Sequence, residues 1–188
     1  SVSRDFVELP SQIMENWAFE PEYLNSFAKH YQTGEPIPAE LIDKVVAAKN
    51  YLAGYAQVRQ LHFGLLDMAW HTLTELPSES TVEFEAKTLA PYAVMPAVSG
   101  TAFSGSFSHI FSGGYSAGYY SYKWAEVLEA DAFSLFKEKG IFNTEVAASF
   151  RENILSKGST EEAAVIYRNF RGHDPQPEAL MKKLGLTK

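Results

Sequence analysis

The segment that most constrains the fold carries four tyrosines within eight residues, directly after two glycines. It runs from Tyr115 to Trp124. Tyr115, Tyr119 and Tyr122 stand at positions i, i+4 and i+7, a spacing that places three phenols on one face of an α-helix. The pattern predicts a helix that starts after the glycines and ends near Lys139. On periodicity alone, such an aromatic face is typical of a helix packed into a core.

The same segment also offers hydrogen-bond donors. A phenol is neutral at pH 7 and can donate a hydrogen bond to a developing oxyanion. His109 lies six residues before Tyr115, in a lead-in rich in glycine and serine. The residues alone therefore leave two interpretations open, a packed aromatic face or a surface that binds a polar reaction centre.

Helical periodicity continues through most of the chain, and no run alternates as a strand would. A loop is predicted from Tyr92 to Ser108, because prolines, glycines and hydroxyl residues interrupt the pattern there. The sequence predicts an all-α chain, residues 1–188, forming a single unit of seven or eight helices with little or no strand. Besides the tyrosine helix, the expected helices run from about Asp5 to Trp17, Glu20 to Thr33, Ala39 to Glu75, Ser80 to Ala90, Asn143 to Lys157, Ser159 to Phe170 and Pro177 to Leu184.

Composition excludes several classes of partner. The formal charge is -7 and the pI about 5.2, which argues against a nucleic-acid or anionic-membrane surface. No apolar run approaches the roughly 18 residues that a membrane span needs. Cysteine is absent, so there is no thiolate metal site and no disulfide framework. We expect a cytoplasmic location and no membrane partner. The chain lacks an initiator Met and enters a helix almost at once, which suggests a piece of a longer protein whose targeting signals would lie elsewhere.

Glu8 is the first candidate for a metal ligand. Glu8, Gln12 and Glu15 follow helical spacing on a face different from the apolar stripe that includes Phe6 and Ile13. One interpretation is a carboxylate in the first helical turn that complements the helix dipole. The other is an inward-facing ligand held firmly by its own turn.

A complete metal site is not visible in the sequence. The five histidines include no pair at the i, i+4 spacing that a helical metal site uses. Neither a phosphate-binding glycine loop nor a Gly-x-Ser-x-Gly nucleophile motif is present. The chain therefore offers a carboxylate and hydrogen-bond donors, but not the remaining ligands.

Two segments together resemble one family. The segment from Asp5 to Trp17, DFVELPSQIMENW, resembles the part of the thimet oligopeptidase (M3) family of metallopeptidases that supplies the third zinc ligand. The segment from His109 to Trp124, HIFSGGYSAGYYSYKW, resembles the substrate-binding His/Tyr segment of that family. The resemblance covers nearly the whole chain in order. The tyrosine motif looks most similar to the bacterial peptidyl-dipeptidase (dipeptidyl carboxypeptidase) branch.

The resemblance implies a role for each candidate residue. Glu8 matches the glutamate that completes the zinc site. His109 and Tyr115 match residues that contact the scissile peptide and stabilise the tetrahedral oxyanion. Tyr122 matches a tyrosine in the same role, and Tyr119 matches a residue that lines the cleft. A catalytic zinc takes two histidines and a glutamate and keeps one position for water.

The chain departs from the family pattern because the upstream His-Glu-x-x-His helix is missing. It is therefore interpreted as the C-terminal catalytic-domain portion of a larger zincin-type helical zinc peptidase. That peptidase would hydrolyse short peptides and release C-terminal dipeptides, and its N-terminal remainder would be this chain's partner. By itself the chain is expected neither to hold zinc tightly nor to cleave peptides. A non-catalytic helical peptide-binding module, or an unrelated helical protein with a packed tyrosine stripe, remains an alternative.

Overall fold

The computed structural model describes residues 1–187, and this part of the chain is built from helices, so the predicted all-α class is confirmed. The only β pairing within it is a single bridge between Lys29 and Pro36. None of the described helices is long and apolar enough to cross a membrane. The α-helices are α1 Arg4–Val7, α2 Leu9–Glu15, α3 Pro21–Phe27, α4 Ala39–Ala48, α5 Ala53–His71, α6 Thr81–Leu89, α7 Ser108–Phe111, α8 Ser121–Lys139, α9 Thr144–Phe150, α10 Ala163–Arg171 and α11 Glu178–Lys183. Three 3₁₀ turns, Asn16–Phe19, Ala90–Tyr92 and Ser104–Ser106, and a π-helical turn, Arg151–Leu155, accompany them.

More helices form among the described residues than the expected seven or eight, because two predicted helices are interrupted and the short helix α7 was not predicted. The helix expected from Ala39 to Glu75 breaks between α4 and α5, where Leu52 adopts a left-handed conformation with φ of 53°. The first helix breaks at Glu8, which ends α1 and begins α2. Pro10 then occupies the first turn of α2, where its missing N–H leaves no hydrogen bond unmade.

The chain forms two compact units. The first contains Ser1–Tyr51 and the chain from Trp124 onward, and the second contains Leu52–Lys123. The core of the first unit consists of the buried faces of α1, α2 and α8 to α10, together with the π-helical turn. Phe136 on α8 is central to that core, since its ring lies 5.0 Å from Trp17 and 6.1 Å from Phe150 between centroids.

Polar groups also join elements within the first unit. Tyr167 on α10 is buried, and its hydroxyl donates a 2.6 Å hydrogen bond to Asp131 Oδ2 on α8. The Arg171 guanidinium contacts the same carboxylate at 3.2 Å. Glu129, also buried on α8, accepts hydrogen bonds from Asn16 and from Lys183 on α11. These pairs tie the α8 helix to the elements before and after it in sequence.

The second unit is built around α5 and α6, with a smaller apolar core. Leu66, Phe107 and Ile110 are buried there, and the Trp70 ring lies 4.1 Å from that of Phe84 on α6 between centroids, tilted by 40°. A carboxylate organises the loop that follows: Glu85 accepts the backbone N–H groups of Phe103 and Ser104 at 2.8 and 2.9 Å. Most of the loop predicted from Tyr92 to Ser108 is irregular, as expected, and it leads directly into α7.

Candidate active site

The second unit brings together four of the residues that the sequence singles out. His109, Tyr115, Tyr119 and Tyr122, here called the His–Tyr cluster, have mutually close rings. Tyr122 lies at the centre, with its ring 5.0 Å from both Tyr115 and Tyr119 between centroids. The His109 ring lies 5.9 Å from Tyr119 and 6.3 Å from Tyr122.

The cluster is accessible from solvent. His109 is exposed, and the three tyrosines are only partly buried. The cluster is therefore not a fully packed aromatic stripe, since each of its four side chains keeps some contact with solvent. Imidazole N–H and phenol O–H groups are hydrogen-bond donors, so the cluster can meet an electron-rich oxygen from several directions.

The three phenols do not share a helical face, and this prediction from the sequence was wrong. Helix α8 begins only at Ser121, and the chain from Tyr115 to Tyr120 is a series of turns. Ala117 adopts a left-handed conformation with φ of 52°, which a continuous right-handed helix excludes. The phenols therefore meet because a compact turn folds the chain back, and only Tyr122 lies on the helix.

Gly113 has a steric role in the turn before the cluster. A Cβ atom added at this position would lie 2.8 Å from the Cα of His109 and 3.0 Å from its carbonyl oxygen. The Gly113 N–H also donates a 2.7 Å hydrogen bond to the Ser108 carbonyl. The chain consequently passes so close to the His109 backbone that only glycine fits, and this contact sets where the imidazole stands.

Asp67 on α5 braces the tyrosine turn. This carboxylate is 1% exposed, and its two oxygens accept the backbone N–H groups of Ala117 and Tyr119, each at 2.9 Å. The His71 Nδ1 atom lies 2.8 Å from Asp67 Oδ1. Hydrogen bonds to a charged acceptor are stronger than neutral ones. From its position on α5, Asp67 therefore holds Tyr119 and the left-handed residue Ala117 in place.

Sequence reasoning missed Asp67, although one signal was available. Asp67 stands among apolar residues, since Leu65, Leu66, Met68 and Ala69 surround it on α5. A carboxylate in the middle of such a run has to be satisfied by a partner if it is buried. The identity of that partner, 50 residues further along, could not be predicted from the pattern.

The Tyr119 phenol is held neutral by its surroundings. Partial burial raises the pKa of Tyr119 above its ordinary value, and the neighbouring Tyr122 raises it further. A hydrogen bond with Gln60 and the positive charge of Arg59 lower the pKa and only partly offset these effects. Tyr119 therefore remains a proton-bearing donor through the neutral range.

Glu8 lies in the first unit, at the junction of α1 and α2. It is partly buried, and its Oε2 atom accepts a 3.0 Å hydrogen bond from the Ser11 hydroxyl one turn later. Its side chain makes no capping hydrogen bond to the start of α2. The carboxylate is thus held by its own first turn, but it does not serve as a helix cap.

The described residues do not fit a zinc ion by themselves. Within residues 1–187, no group of three or more His, Cys, Asp or Glu side chains is arranged so that it could hold a metal ion. A protein zinc site needs at least three such ligands. Of the histidines, His62 contacts the Tyr92 carbonyl at 2.9 Å, and His71 contacts Asp67.

Comparison with known proteins agrees with the motifs. The family model described as "Peptidase family M3" matches residues 1–186. Oligopeptidase A of Escherichia coli is 51% identical over 97% of this chain and 27% of its own length. A probable cytosolic oligopeptidase A of Arabidopsis thaliana is 43% identical over 99% and 27%. Dipeptidyl carboxypeptidase of Escherichia coli is 41% identical over 98% and 27%.

The chain spans about a quarter of the length of these curated relatives. Among the three, the two oligopeptidases share more residues with this chain than the dipeptidyl carboxypeptidase does, whereas the tyrosine motif had led us to predict the dipeptidyl carboxypeptidase branch. The match nevertheless runs along almost the whole chain and includes both the Glu8 segment and the His–Tyr cluster. On the evidence of the family match, the helical fold and these motifs, the chain belongs to peptidase family M3.

Proposed function

We propose that this chain is the C-terminal catalytic portion of a zinc-dependent oligopeptidase that hydrolyses short peptides in the cytoplasm. The observation that carries the proposal is the His–Tyr cluster, in which an exposed imidazole and partly exposed phenols converge. The family membership and the names of the relatives support peptides as the substrate.

The chain's own contribution to the reaction is oxyanion stabilisation. When water adds to a peptide carbonyl, negative charge develops on the carbonyl oxygen, and donors already aimed at that oxygen lower the barrier. In this proposal Tyr115 and Tyr122, which stack on each other at 5.0 Å, and His109 donate to that oxygen. Tyr119 lines the cleft. The turn that carries Tyr115 is held by Asp67, which limits the reorganisation needed during the reaction.

Glu8 is proposed as the one zinc ligand from this chain. The carboxylate is already braced by Ser11, and such supporting hydrogen bonds orient metal ligands. Since the described residues provide too few ligands, the others would come from the remainder of a longer polypeptide. Residues 1–188 purified alone are accordingly expected to show neither stoichiometric zinc by elemental analysis nor cleavage of peptides.

A pair of substitutions in the polypeptide encoded by the complete gene tests both roles. Tyr115→Phe removes one donor, so kcat is expected to fall by a factor of about 10²–10³ while bound zinc stays unchanged. Glu8→Gln removes a charged ligand, so bound zinc is expected to fall together with activity. Zinc content by elemental analysis and kcat on a short fluorogenic peptide are the readouts.

Retained activity in Tyr115→Phe would contradict the oxyanion role, and full zinc in Glu8→Gln would contradict the ligand role. Tyr120→Phe is a matched control, because Tyr120 belongs to the same turn but not to the His–Tyr cluster. Mass spectrometry of the products tests the finer proposal that C-terminal dipeptides are released. Cleavage only at internal peptide bonds would contradict dipeptide release and favour an endopeptidase. Binding of peptides without any cleavage by the complete protein would favour the non-catalytic binding module.

A further inference from the structure

The end of helix α5 carries a histidine that the proposed reaction does not use. His71 is the last residue of α5, and its side chain is 23% exposed. Its Nδ1 atom lies 2.8 Å from the Asp67 carbonyl oxygen and 2.8 Å from Asp67 Oδ1. Both oxygens are hydrogen-bond acceptors, so the Nδ1 atom has to carry the proton of the imidazole ring. His71 is therefore a donor towards the buried carboxylate.

The Asp67 carboxylate consequently meets three donors. Its Oδ1 atom accepts the Ala117 N–H and its Oδ2 atom accepts the Tyr119 N–H, each at 2.9 Å. The His71 N–H lies within hydrogen-bonding distance of the oxygen that accepts from Ala117. A buried carboxylate held on both oxygens cannot rotate without leaving a buried donor unpaired, which is costly. His71 therefore helps to fix the orientation in which Asp67 meets the tyrosine turn, residues 115–120.

His71 also contacts the helix that carries the imidazole of the His–Tyr cluster. Its ring lies 5.8 Å from that of Phe111 between centroids, tilted by 40°, a separation at which aromatic rings attract each other. Phe111 ends α7 and stands two residues after His109. The His71 side chain thus contacts both segments that carry the cluster, α7 through Phe111 and the tyrosine turn through Asp67.

The chain before α7 has an anchor of its own. The Trp70 Nε1 atom donates a 2.9 Å hydrogen bond to the Ser104 hydroxyl, and Glu85 accepts the Ser104 N–H at 2.9 Å. Neither of these bonds involves His71. A change at His71 is therefore expected to loosen the chain after α7 and to leave the chain before it in place.

We propose that His71 is a positioning residue for the peptidase reaction, which holds the tyrosine turn and α7 in one common geometry. The inference rests on the proposed function and adds a residue to it. His71 acts through Asp67 and Phe111 and does not touch the substrate. Donors to a developing oxyanion are effective because they need little reorganisation during the reaction. A looser turn therefore lowers kcat more than it changes peptide binding.

The test uses the polypeptide encoded by the complete gene and one short fluorogenic peptide. His71→Leu keeps a side chain of similar size but removes the N–H donor. Its kcat, counted per folded molecule from circular dichroism, is expected to fall about tenfold while KM changes less than about twofold. His71→Asn is the rescue variant, because its amide nitrogen stands near the position of Nδ1 and can donate to Asp67. Its kcat is expected to stay within about threefold of the unaltered protein.

Two further variants complete this series. His71→Gln is a second deficient variant that stays polar, and it replaces His71→Leu if that protein does not fold, since its amide reaches beyond the Nδ1 position. His173→Leu is the matched control, because His173 is exposed in the first unit and its Nδ1 atom also contacts a backbone carbonyl. Its kcat should be unchanged. An equal loss in His71→Asn and the deficient variants, or no loss in any of them, would overturn the proposal.

A double-mutant cycle shows whether His71 acts through Asp67. Residues in one hydrogen-bond network have effects that do not add. Adding His71→Leu to Asp67→Asn is therefore expected to lower kcat by no more than about twofold beyond Asp67→Asn alone. Losses that multiply in full would refute the action of His71 through Asp67.

Amide exchange gives a reading that does not depend on catalysis. In His71→Leu the N–H groups of Ala117 and Tyr119 should exchange with deuterium about tenfold faster, because their acceptor is held less firmly. The N–H groups of Phe103 and Ser104 bind a different carboxylate, so their exchange should be unchanged. Equal acceleration at all four N–H groups would indicate a general loss of stability and would refute a positioning role, as would unchanged exchange in the tyrosine turn.

Failure of the proposed function has a different signature. The unaltered complete protein would then cleave no peptide, and the role of His71 in catalysis would fall with it. Normal cleavage by the unaltered protein, together with unchanged kcat and unchanged amide exchange in His71→Leu, would leave the proposed function standing and overturn only the role of His71.

Discussion

The two units of the chain are stabilised in different ways. Among the described residues, the first has fourteen buried apolar residues in one continuous core, and aromatic rings on α8, α9 and α10 pack within it. The second has three buried residues in its core cluster. There, two carboxylates compensate: Asp67 holds the tyrosine turn and Glu85 holds the loop before α7.

This difference shows how the second unit can display aromatic side chains at its surface. Apolar burial stabilises a fold only by removing side chains from contact with water. The cluster residues His109 and Tyr119 would lose access to a substrate if they were packed in that way. Backbone hydrogen bonds to a buried carboxylate fix the position of the chain without requiring that the cluster side chains be fully buried. The comparison therefore predicts that the stability of the first unit depends most on the volume of its buried apolar side chains. The stability of the second unit depends more on the charge of its buried carboxylate.

The largest effect is expected from a cavity in the first unit. Phe136→Ala removes a ring that is 4% exposed and contacts Trp17 and Phe150. The free energy of unfolding should fall by about 3–5 kcal/mol, because the surrounding residues relax only partly into the space. Urea denaturation followed by circular dichroism measures it. Phe142→Ala is the control, since Phe142 is 51% exposed in the same unit. Similar losses for the two variants would contradict the comparison.

An intermediate effect is expected from removing the charge of Asp67. In Asp67→Asn the shape is kept, but the amide N–H₂ faces one of the two backbone N–H groups, so a hydrogen bond to a buried group is lost. The free energy of unfolding should fall by about 1–3 kcal/mol. The amide N–H groups of Ala117 and Tyr119, which donate hydrogen bonds to Asp67, should exchange faster with deuterium. In the enzyme assay, kcat should fall by a larger factor than KM changes.

Asp43→Asn is the matched control for that prediction. Asp43 is exposed on α4, in the first unit, and its substitution should change neither amide exchange at Ala117 nor kcat. If Asp67→Asn destabilised the protein but left amide exchange in the tyrosine turn and kcat unchanged, Asp67 would be a structural residue without influence on the His–Tyr cluster.

The smallest effect is a dependence of stability on alkaline pH. Burial, and the hydrogen bond to Asp131, raise the pKa of the Tyr167 hydroxyl well above its ordinary value of 10.0. Above pH 10 the unfolded chain therefore loses a proton that the folded protein keeps, and stability falls as pH rises. This group should contribute a slope of up to about 1.4 kcal/mol per pH unit. Urea denaturation between pH 8 and 11 should show a smaller slope in Tyr167→Phe, and equal slopes would contradict the prediction.

Much of the helical pattern was predictable, because caps and helix breakers act over a few residues. A helix start was predicted at Asn143, and its side chain caps α9 by accepting a 3.0 Å hydrogen bond from the Val146 N–H. Pro21 begins α3 and Pro177 precedes α11, both at positions where the sequence placed a helix start. The helix predicted from Ser159 starts later, because Glu162 is the residue before α10, and its side chain makes no capping hydrogen bond.

The candidate site was predictable in its membership but not in its geometry. His109, Tyr115, Tyr119 and Tyr122 were identified from the motif, and their rings do converge. The sequence analysis attributed this convergence to helical spacing, which was wrong, because the chain turns at Ala117 instead of continuing as a helix. Helix periodicity cannot reveal a turn that depends on a carboxylate 50 residues earlier in the sequence.

The sequence by itself determined the all-α class, most helix ends and the residue types of the site, since periodicity, capping and motif spacing are local properties of the chain. The tertiary structure alone decided the break at Leu52, the turn at Ala117 and the contact between His71 and Phe111. Each of these depends on contacts between distant residues. A buried charge such as Asp67 can stabilise a backbone conformation that local propensity disfavours, and only the folded chain shows which conformation it stabilises.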